Sequence, residues 1–250
     1  MRILLSPSKT QTFELPEPEQ FTLPQFLEDS QQLMDILTQQ SRAQIGELMQ
    51  ISDALASLNY ERFSRFSLPF SPQNARPAVF AFRGDVYDGL AADTLTAADI
   101  DFAQRHLRIL SGLYGLLRPL DLIQAYRLEM KTPLDNPRGK NLYAFWGKRL
   151  ARQLVQETET VVNLASQEYF KALPTKVLST VRVITPVFKE RKGETYKVIA
   201  IYAKKARGQM ARYLIRERIS DTEGIKGFRE GGYAFVEQFS TEDQWVFARD

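Results

Sequence analysis

The stretch RHLRILSGLYGLLRPLDLIQAYRLEM, Arg105 to Met130, sets glycines, arginines, tyrosines and carboxylates between two short apolar runs. A packed core alone does not call for that mixture. His106 to Leu110 reads as a buried strand, after which Ser111, Gly112 and Gly115 allow a tight turn and expose N–H groups of the kind that cradle anions. Arg118 precedes Pro119, which holds its backbone extended. Asp121 can cap a short turn at Leu122 to Ala125. If Tyr126 to Met130 is a strand, Arg127 and Glu129 share one face, and Tyr126, Leu128 and Met130 the other. The structural alternative is a surface loop stapled by an Arg127–Glu129 pair.

Composition bounds the chemistry. The chain has 250 residues, 44% of them hydrophobic and 25% charged, which suits a soluble globular protein with a sizeable core. No run approaches a membrane span, and the apolar part of MRILLSPSKT is too short for a signal peptide, so a cytoplasmic protein is expected. With no cysteine and one histidine, His106, disulfides, thiolate nucleophiles, iron–sulfur clusters and Cys/His zinc sites are excluded. A Ser-His-Asp triad would need the one histidine, which sits in an apparent strand. No calcium-type Asp/Glu loop is present, so no metal and no cofactor are expected. The net charge is +3, yet Lys189 to Arg218 alone carries +7 and the other 220 residues carry −4.

Outward from the central stretch, Arg2 to Leu5 reads as an internal strand ending at Ser6-Pro7-Ser8-Lys9-Thr10. The phosphate-loop pattern G-x-x-x-x-G-K-[ST] is absent, which leaves Lys9 as a cation at a strand end. Apolar spacing predicts helices near 24–39, 42–50 and 53–65, with Ser41 and Ser52 as caps. The last two are close enough for a helix-hairpin-helix, although a plain helical layer explains them equally. Ala78 to Phe82 reads as a strand, and the polar Arg83-Gly84-Asp85-Val86-Tyr87 after it suits a site at the carboxyl end of a sheet, or an Asp-capped turn. Leu142 to Glu157 reads as one amphipathic helix and Thr160 to Leu164 as a strand. Ser166 and Glu168 then fit either a helix start or a site.

Val181 to Phe188 and Tyr196 to Ala203 read as a strand pair, followed by a helix over Gln209 to Ile219. Lys204, Lys205 and Arg207 would then stand at a helix N-terminus, where cations are unfavourable unless an anion fills the place. Arg212 and Arg216 would extend that positive face. Tyr87, Tyr114 and Tyr169 are candidates for stacking on an unpaired base, and equally for the core. The pieces imply an α/β fold, a single domain over 1–250 with a mixed central sheet flanked by helices.

Five motifs in order, ILLSPSKT, FRGDVYDGL, HLRILSGLYGLLRPLDLIQAYRLEM, NLASQEYF and YAKKARGQMARY, resemble the YaaA family of peroxide stress response proteins. The resemblance implies one α/β domain of unusual topology with a basic cleft and a helix-hairpin-helix element. It also implies association with double-stranded or structured DNA, and a cytoplasmic role in limiting oxidative damage linked to lower free iron. It implies no membrane and no obligate protein partner. The family's motif positions fall on Lys9, Asp85, Tyr87, Tyr114, Arg118, Arg127, Glu129, Asn163, Glu168, Lys204, Lys205 and Arg207, while the hairpin position reads Ala56-Ser57-Leu58-Asn59.

Three readings follow. The first is a DNA-binding stress protein whose cleft contacts phosphates through Lys9, Arg118, Arg127, Lys204, Lys205, Arg207 and Arg212. The second is an enzyme on a nucleotide, nucleobase or other phosphorylated substrate, with Glu129, Glu168 or Asp85 as the acid–base candidates. The third is an iron-handling site around Asp85, Asp88 and Glu129.

Overall fold

In the computed structural model, which describes residues 1–250, the chain opens with β1 (Arg2–Leu5). Ile3, Leu4 and Leu5 are completely buried, as a strand covered on both faces requires. The short β2 (Thr10–Gln11) precedes three helices, α1 (Leu27–Leu37), α2 (Arg42–Met49) and α3 (Asp53–Ser64). Ser41 and Gln44 close a capping box on α2, and the Ser52 hydroxyl accepts from Leu55 N–H on α3. β3 (Arg76–Pro77), the single turn α4 (Ala78–Ala81) and β4 (Phe82–Arg83) lead to α5 (Asp85–Leu90). Next, α6 (Ala97–His106), boxed at its start by Thr96 and Asp99, runs straight into β5 (Leu107–Ser111). After it come β6 (Gly115–Leu117) and β7 (Leu122–Ile123).

The second half carries α7 (Leu142–Trp146), α8 (Arg149–Glu157), β8 (Thr160–Asn163), α9 (Gln167–Phe170) and α10 (Thr175–Leu178). The long β9 (Arg182–Lys192), β10 (Thr195–Lys197) and α11 (Ala200–Arg216) follow, and β11 (Ala234–Phe235) and β12 (Gln244–Arg249) close the chain. The main sheet has eight strands in the order β11-β12-β9-β8-β1-β5-β6, with β10 added to β9. β12, β9, β8, β1 and β5 are mutually parallel, and β6, β10 and β11 are antiparallel additions. One hydrophobic core of 59 buried residues joins β1 to β12, so the expected α/β domain with a mixed, helix-flanked sheet is what forms.

Several local readings change. Ala78 to Phe82 is mostly a helical turn, because the N–H groups of Ala78 and Val79 bond the carbonyls of Asp121 and Pro119 rather than a neighbouring strand. Gly147, at φ +51, breaks the single helix expected from Leu142 to Glu157 into α7 and α8. Tyr126 to Met130 forms no strand and pairs in no sheet, its entry fixed by a bond from Tyr126 N–H to Gln11 Oε1 at 3.1 Å. The anion-cradling reading of Ser111 to Gly115 is replaced by a packing role. Ser111 and Gly112 are buried, the Gly112 carbonyl accepts from Trp146 Nε1 at 3.0 Å, and a Cβ on Gly112 would overlap the Leu128 carbonyl.

The largest correction concerns α11, which begins at Ala200 and not at Gln209. Ala203, Ala206, Met210, Ala211 and Leu214 place small and apolar side chains at helical spacing against the core. Lys204, Lys205 and Arg207 are therefore inside the helix and not at its N-terminus. α2 and α3 do pack as a pair, but they turn at Gln50-Ile51, whose N–H groups bond the carbonyls of Glu47 and Gly46. Ala56 to Asn59 lies within α3.

α11 crosses α5 with backbone against backbone. A Cβ on Gly208 would overlap the Val86 carbonyl oxygen, and one on Gly89 would overlap the Lys205 carbonyl oxygen. Arg212 closes the crossing by donating to the carbonyls of Leu90 and Ala91 at 3.1 and 3.0 Å, where α5 ends. Forcing a methyl group into such a contact costs about 1–3 kcal/mol. Gly208→Ala is expected to lower Tm by several degrees, at roughly 2–4 °C per kcal/mol for a chain of this size. Differential scanning calorimetry against Gly46→Ala, in α2, where a Cβ would make only ordinary contacts at 3.5 Å and beyond and φ is not positive, checks this.

Candidate functional site

Because β1, β5 and β8 are parallel, their carboxyl ends reach one edge of the sheet, where open α/β sheets place ligands. Four segments meet there. The loop Ser6 to Gln11 leaves β1, the segment Tyr126 to Lys131 arrives from the excursion after β5, and Leu164 to Tyr169 leaves β8. α5 supplies Asp85 and Tyr87. They are tied together by hydrogen bonds: Ser166 N–H donates to the Ser6 hydroxyl at 2.8 Å, and Tyr87 OH donates to the Ser6 carbonyl at 3.0 Å. Ser111 and Tyr126 share a hydroxyl–hydroxyl bond of 2.7 Å beneath them. Asn163, at the end of β8, accepts from Ala165 N–H at 3.1 Å and so shapes the turn without facing a ligand.

The result is a cleft of about 500 Å³, within the range of ordinary small-molecule sites. Its walls carry Lys9, Arg83, Arg127, Lys131, Lys204 and Arg207 against Asp85, Glu129 and Glu168. Glu129 is only 9% exposed. Lys9 Nζ stands 2.9 Å from one of its oxygens, Arg127 3.3 Å from the same oxygen, and Lys131 Nζ 3.7 Å from the other. Burial pushes the Glu129 carboxyl up, but the Lys9 hydrogen bond and the charges of Lys9, Lys131 and Arg127 outweigh it and hold the group below the ordinary value. Glu168 accepts from Lys131 N–H at 3.2 Å. Two carboxylates thus bracket the Lys131 residue.

Two cations in the cleft lack full compensation. The buried Arg127 Nε has no hydrogen-bond partner. Arg207 is half-buried in the wall, and burial, unopposed by any carboxylate, pulls its pKa down. The excess charge reaches Arg62 of α3, whose pKa is lowered first by burial and then by Arg127. Burial raises the phenols of Tyr87, Tyr126 and Tyr169, which remain neutral hydroxyls near neutral pH.

Lys9, Asp85, Tyr87, Arg127, Glu129, Glu168, Tyr169, Lys204 and Arg207, all named from sequence, line this one cleft. Four other candidates do not. Arg118 clamps the turn below by bonding Asp121 and the Leu23 carbonyl. Tyr114 is fully buried with its hydroxyl on the Gln124 backbone. Arg212 caps α5, and Lys205 lies on the exposed side of α11, outside the cleft lining. Lys131 was missed, although the alternation Arg127, Glu129, Lys131 would put all three on one side of an extended segment. Asp88 is exposed and outside the cleft, so the carboxylate group of Asp85, Asp88 and Glu129 does not assemble, and no cluster of three His, Asp or Glu is placed to hold a metal. His106 packs on Phe102 at the end of α6, away from the cleft.

Fold and cleft define an α/β protein with a cleft, rich in cations and free of thiol and imidazole, at the carboxyl edge of its parallel strands. The chain belongs to the family of the peroxide stress protein YaaA, whose model matches residues 1–239. It is 51% identical over 256 residues to a UPF0246 protein of Alteromonas mediterranea, a match covering 100% of this chain and 98% of that one. A UPF0246 protein of Azoarcus sp. is 50% identical over 259 residues, covering 100% of this chain and 99% of the relative. A third, from Aliivibrio fischeri, is 51% identical over 256 residues, covering 100% and 98%. The family suggested by the five motifs is thereby shown. No helix is long and apolar enough to cross a membrane.

The lowered Glu129 pKa fixes a pH dependence. A carboxyl depressed in the folded state contributes stability above its unfolded value, near 4.5, and loses it as pH falls through the folded value. The Tm of the natural protein minus that of Glu129→Gln is therefore expected to be larger at neutral pH than below 4.5. Thermal melts of both proteins across that range check the sign.

Proposed function

We propose that the cleft binds phosphate groups of duplex or structured DNA, and that this cytoplasmic protein serves the peroxide stress response by occupying DNA. The observation that carries the reading is Arg207, a half-buried guanidinium in the wall of the cleft with no carboxylate partner. A buried cation without a counter-charge costs free energy that an incoming phosphate recovers. Lys204, three residues earlier on the same helix, faces the same cleft. Composition supports binding over redox chemistry, because a chain with no cysteine has no thiol to reduce peroxide, and one histidine offers little to iron. Protection of DNA would limit the damage that peroxide and free iron inflict together.

A second reading, an enzyme on a nucleotide, nucleobase or other phosphorylated substrate, is favoured by one feature. The cleft is concave and places two carboxylates, Glu129 and Glu168, beside cations. Its ionised Glu129 suits a base rather than an acid. Turnover of a nucleotide or base-release product by the natural protein, lost in Glu129→Gln with DNA binding kept, is the result that would establish it.

Fluorescence anisotropy with labelled duplex and branched DNA at two or more salt concentrations tests the first reading. The logarithm of affinity should fall with the logarithm of salt at a slope of about −0.9 per phosphate contacted. Lys204→Ala with Arg207→Ala should flatten that slope by roughly 1–2 and weaken all DNA forms alike. Binding that ignores salt, or a double variant that binds as the natural protein does, rejects it.

A further inference from the structure

We infer that the cleft holds two separate anion subsites and accepts a single nucleotide unit flanked by phosphates on both sides, an inference that rests on the phosphate reading above. The first subsite is the group around Glu129. Lys9, Arg127 and Lys131 surround the Glu129 carboxylate, with Glu168 on the Lys131 N–H, so the group keeps a net charge of +1, and the buried Arg127 Nε is unpartnered. The second is Lys204 with Arg207 on α11, at +2, with no carboxylate paired to either. The two groups come from different elements and share one cleft of about 500 Å³. Like charges confined in that way repel one another, and one phosphate, carrying at most about −2, leaves part of the charge of the two groups uncompensated. A ligand with two spaced anionic groups relieves both.

The rest of the lining offers an aromatic surface. Tyr87, Tyr126 and Tyr169 all line the cleft, and burial raises each phenol above its ordinary value, so each is a neutral hydroxyl near neutral pH. Tyr87 rides on α5, which packs against α11 and the second subsite. Neutral tyrosines therefore line the same cleft as both cationic groups. Tyr87 and Tyr126 are all but buried, while Tyr169 is only partly covered and is the ring able to lie against a base. In this arrangement Glu129 is a positioning residue, gathering three cations around one point.

Isothermal titration calorimetry on the full chain, with four probes at fixed ionic strength, decides the matter. The probes are deoxythymidine 3′,5′-bisphosphate, its 5′-monophosphate, its 3′-monophosphate and fructose 1,6-bisphosphate. The nucleoside bisphosphate should bind at least about tenfold tighter than either monophosphate, the worth of one further charge-assisted contact. Lys131→Ala and Lys204→Ala, both at exposed side chains, should each abolish that advantage while leaving the fold intact by circular dichroism. A bisphosphate that binds no tighter than the monophosphates overturns the two-subsite inference, and a sugar bisphosphate that binds equally well overturns the nucleotide as occupant. Duplex DNA measured in parallel separates the two readings. Salt-sensitive DNA binding without a bisphosphate advantage removes this inference alone, and absence of both removes the phosphate reading with it.

Discussion

The contact on which the cleft depends is the crossing of α5 and α11 at Gly89 and Gly208, where each helix backbone meets the other with no side chain between. Helices normally pack about 8–10 Å apart because side chains hold them off. Glycine at both positions removes that spacer, and the gain is positional. α5 begins with Asp85 and Tyr87 at the mouth of β1, and α11 carries Lys204 and Arg207 within two turns of Gly208. Closing the helices brings a carboxylate, a phenol and two cations to the same edge. The bond from Tyr87 OH to the Ser6 carbonyl then ties this pair of helices to the central strand.

On the other side of the cleft the order is electrostatic. The Tyr126 to Lys131 segment has no sheet partner, so its shape must come from elsewhere. It comes from Gln11, which binds Tyr126 N–H, from Gly112, which lets the chain lie against Leu128, and from Glu129. A carboxylate among three cations is a strong organiser, because removing it leaves three like charges in a half-buried space. The same arrangement makes Glu129 a poor proton donor near neutral pH, since all three neighbours favour its ionised form. That weighs against an acid role for Glu129, which instead holds three cations together.

How far the sequence disclosed this depends on which residues are asked. β1, α2, α3 and β8 were readable because caps such as Ser41 and Ser52, and runs such as RILL and TVVN, speak through local physics. α11 was misjudged at its start. VIAIYA is apolar enough to read as a strand, and only tertiary packing of Ala203 and Ala206 on the core makes it helical. Ser111 to Gly115 misled for a related reason. Glycine serves close backbone approach as readily as anion binding, and the residues that approach, Leu128 and Trp146, lie well away in sequence. The motif residues were found mostly from resemblance and strand-end position. Tyr114 and Arg212 were misplaced because their partners, the Gln124 backbone and the end of α5, are met only in the folded chain, while Arg118 was misplaced although its partner Asp121 is three residues on, because Asp121 was read as a cap.

Absence of thiol chemistry also bears on how such a chain can work under peroxide. Cysteine thiolates and exposed methionine thioethers are the side chains that peroxide attacks first. This protein has no cysteine, and of its 5 methionines, Met34, Met130 and Met210 are buried while Met1 and Met49 pack against the core. The cleft itself is lined by Lys, Arg, Glu, Asp, Ser and Tyr, with no sulfur atom among them. A protein whose binding chemistry is charge and hydrogen bonding keeps that chemistry in an oxidising cell. Its composition therefore suits membership of a peroxide stress family, because the groups that line its cleft are ones that peroxide leaves unchanged.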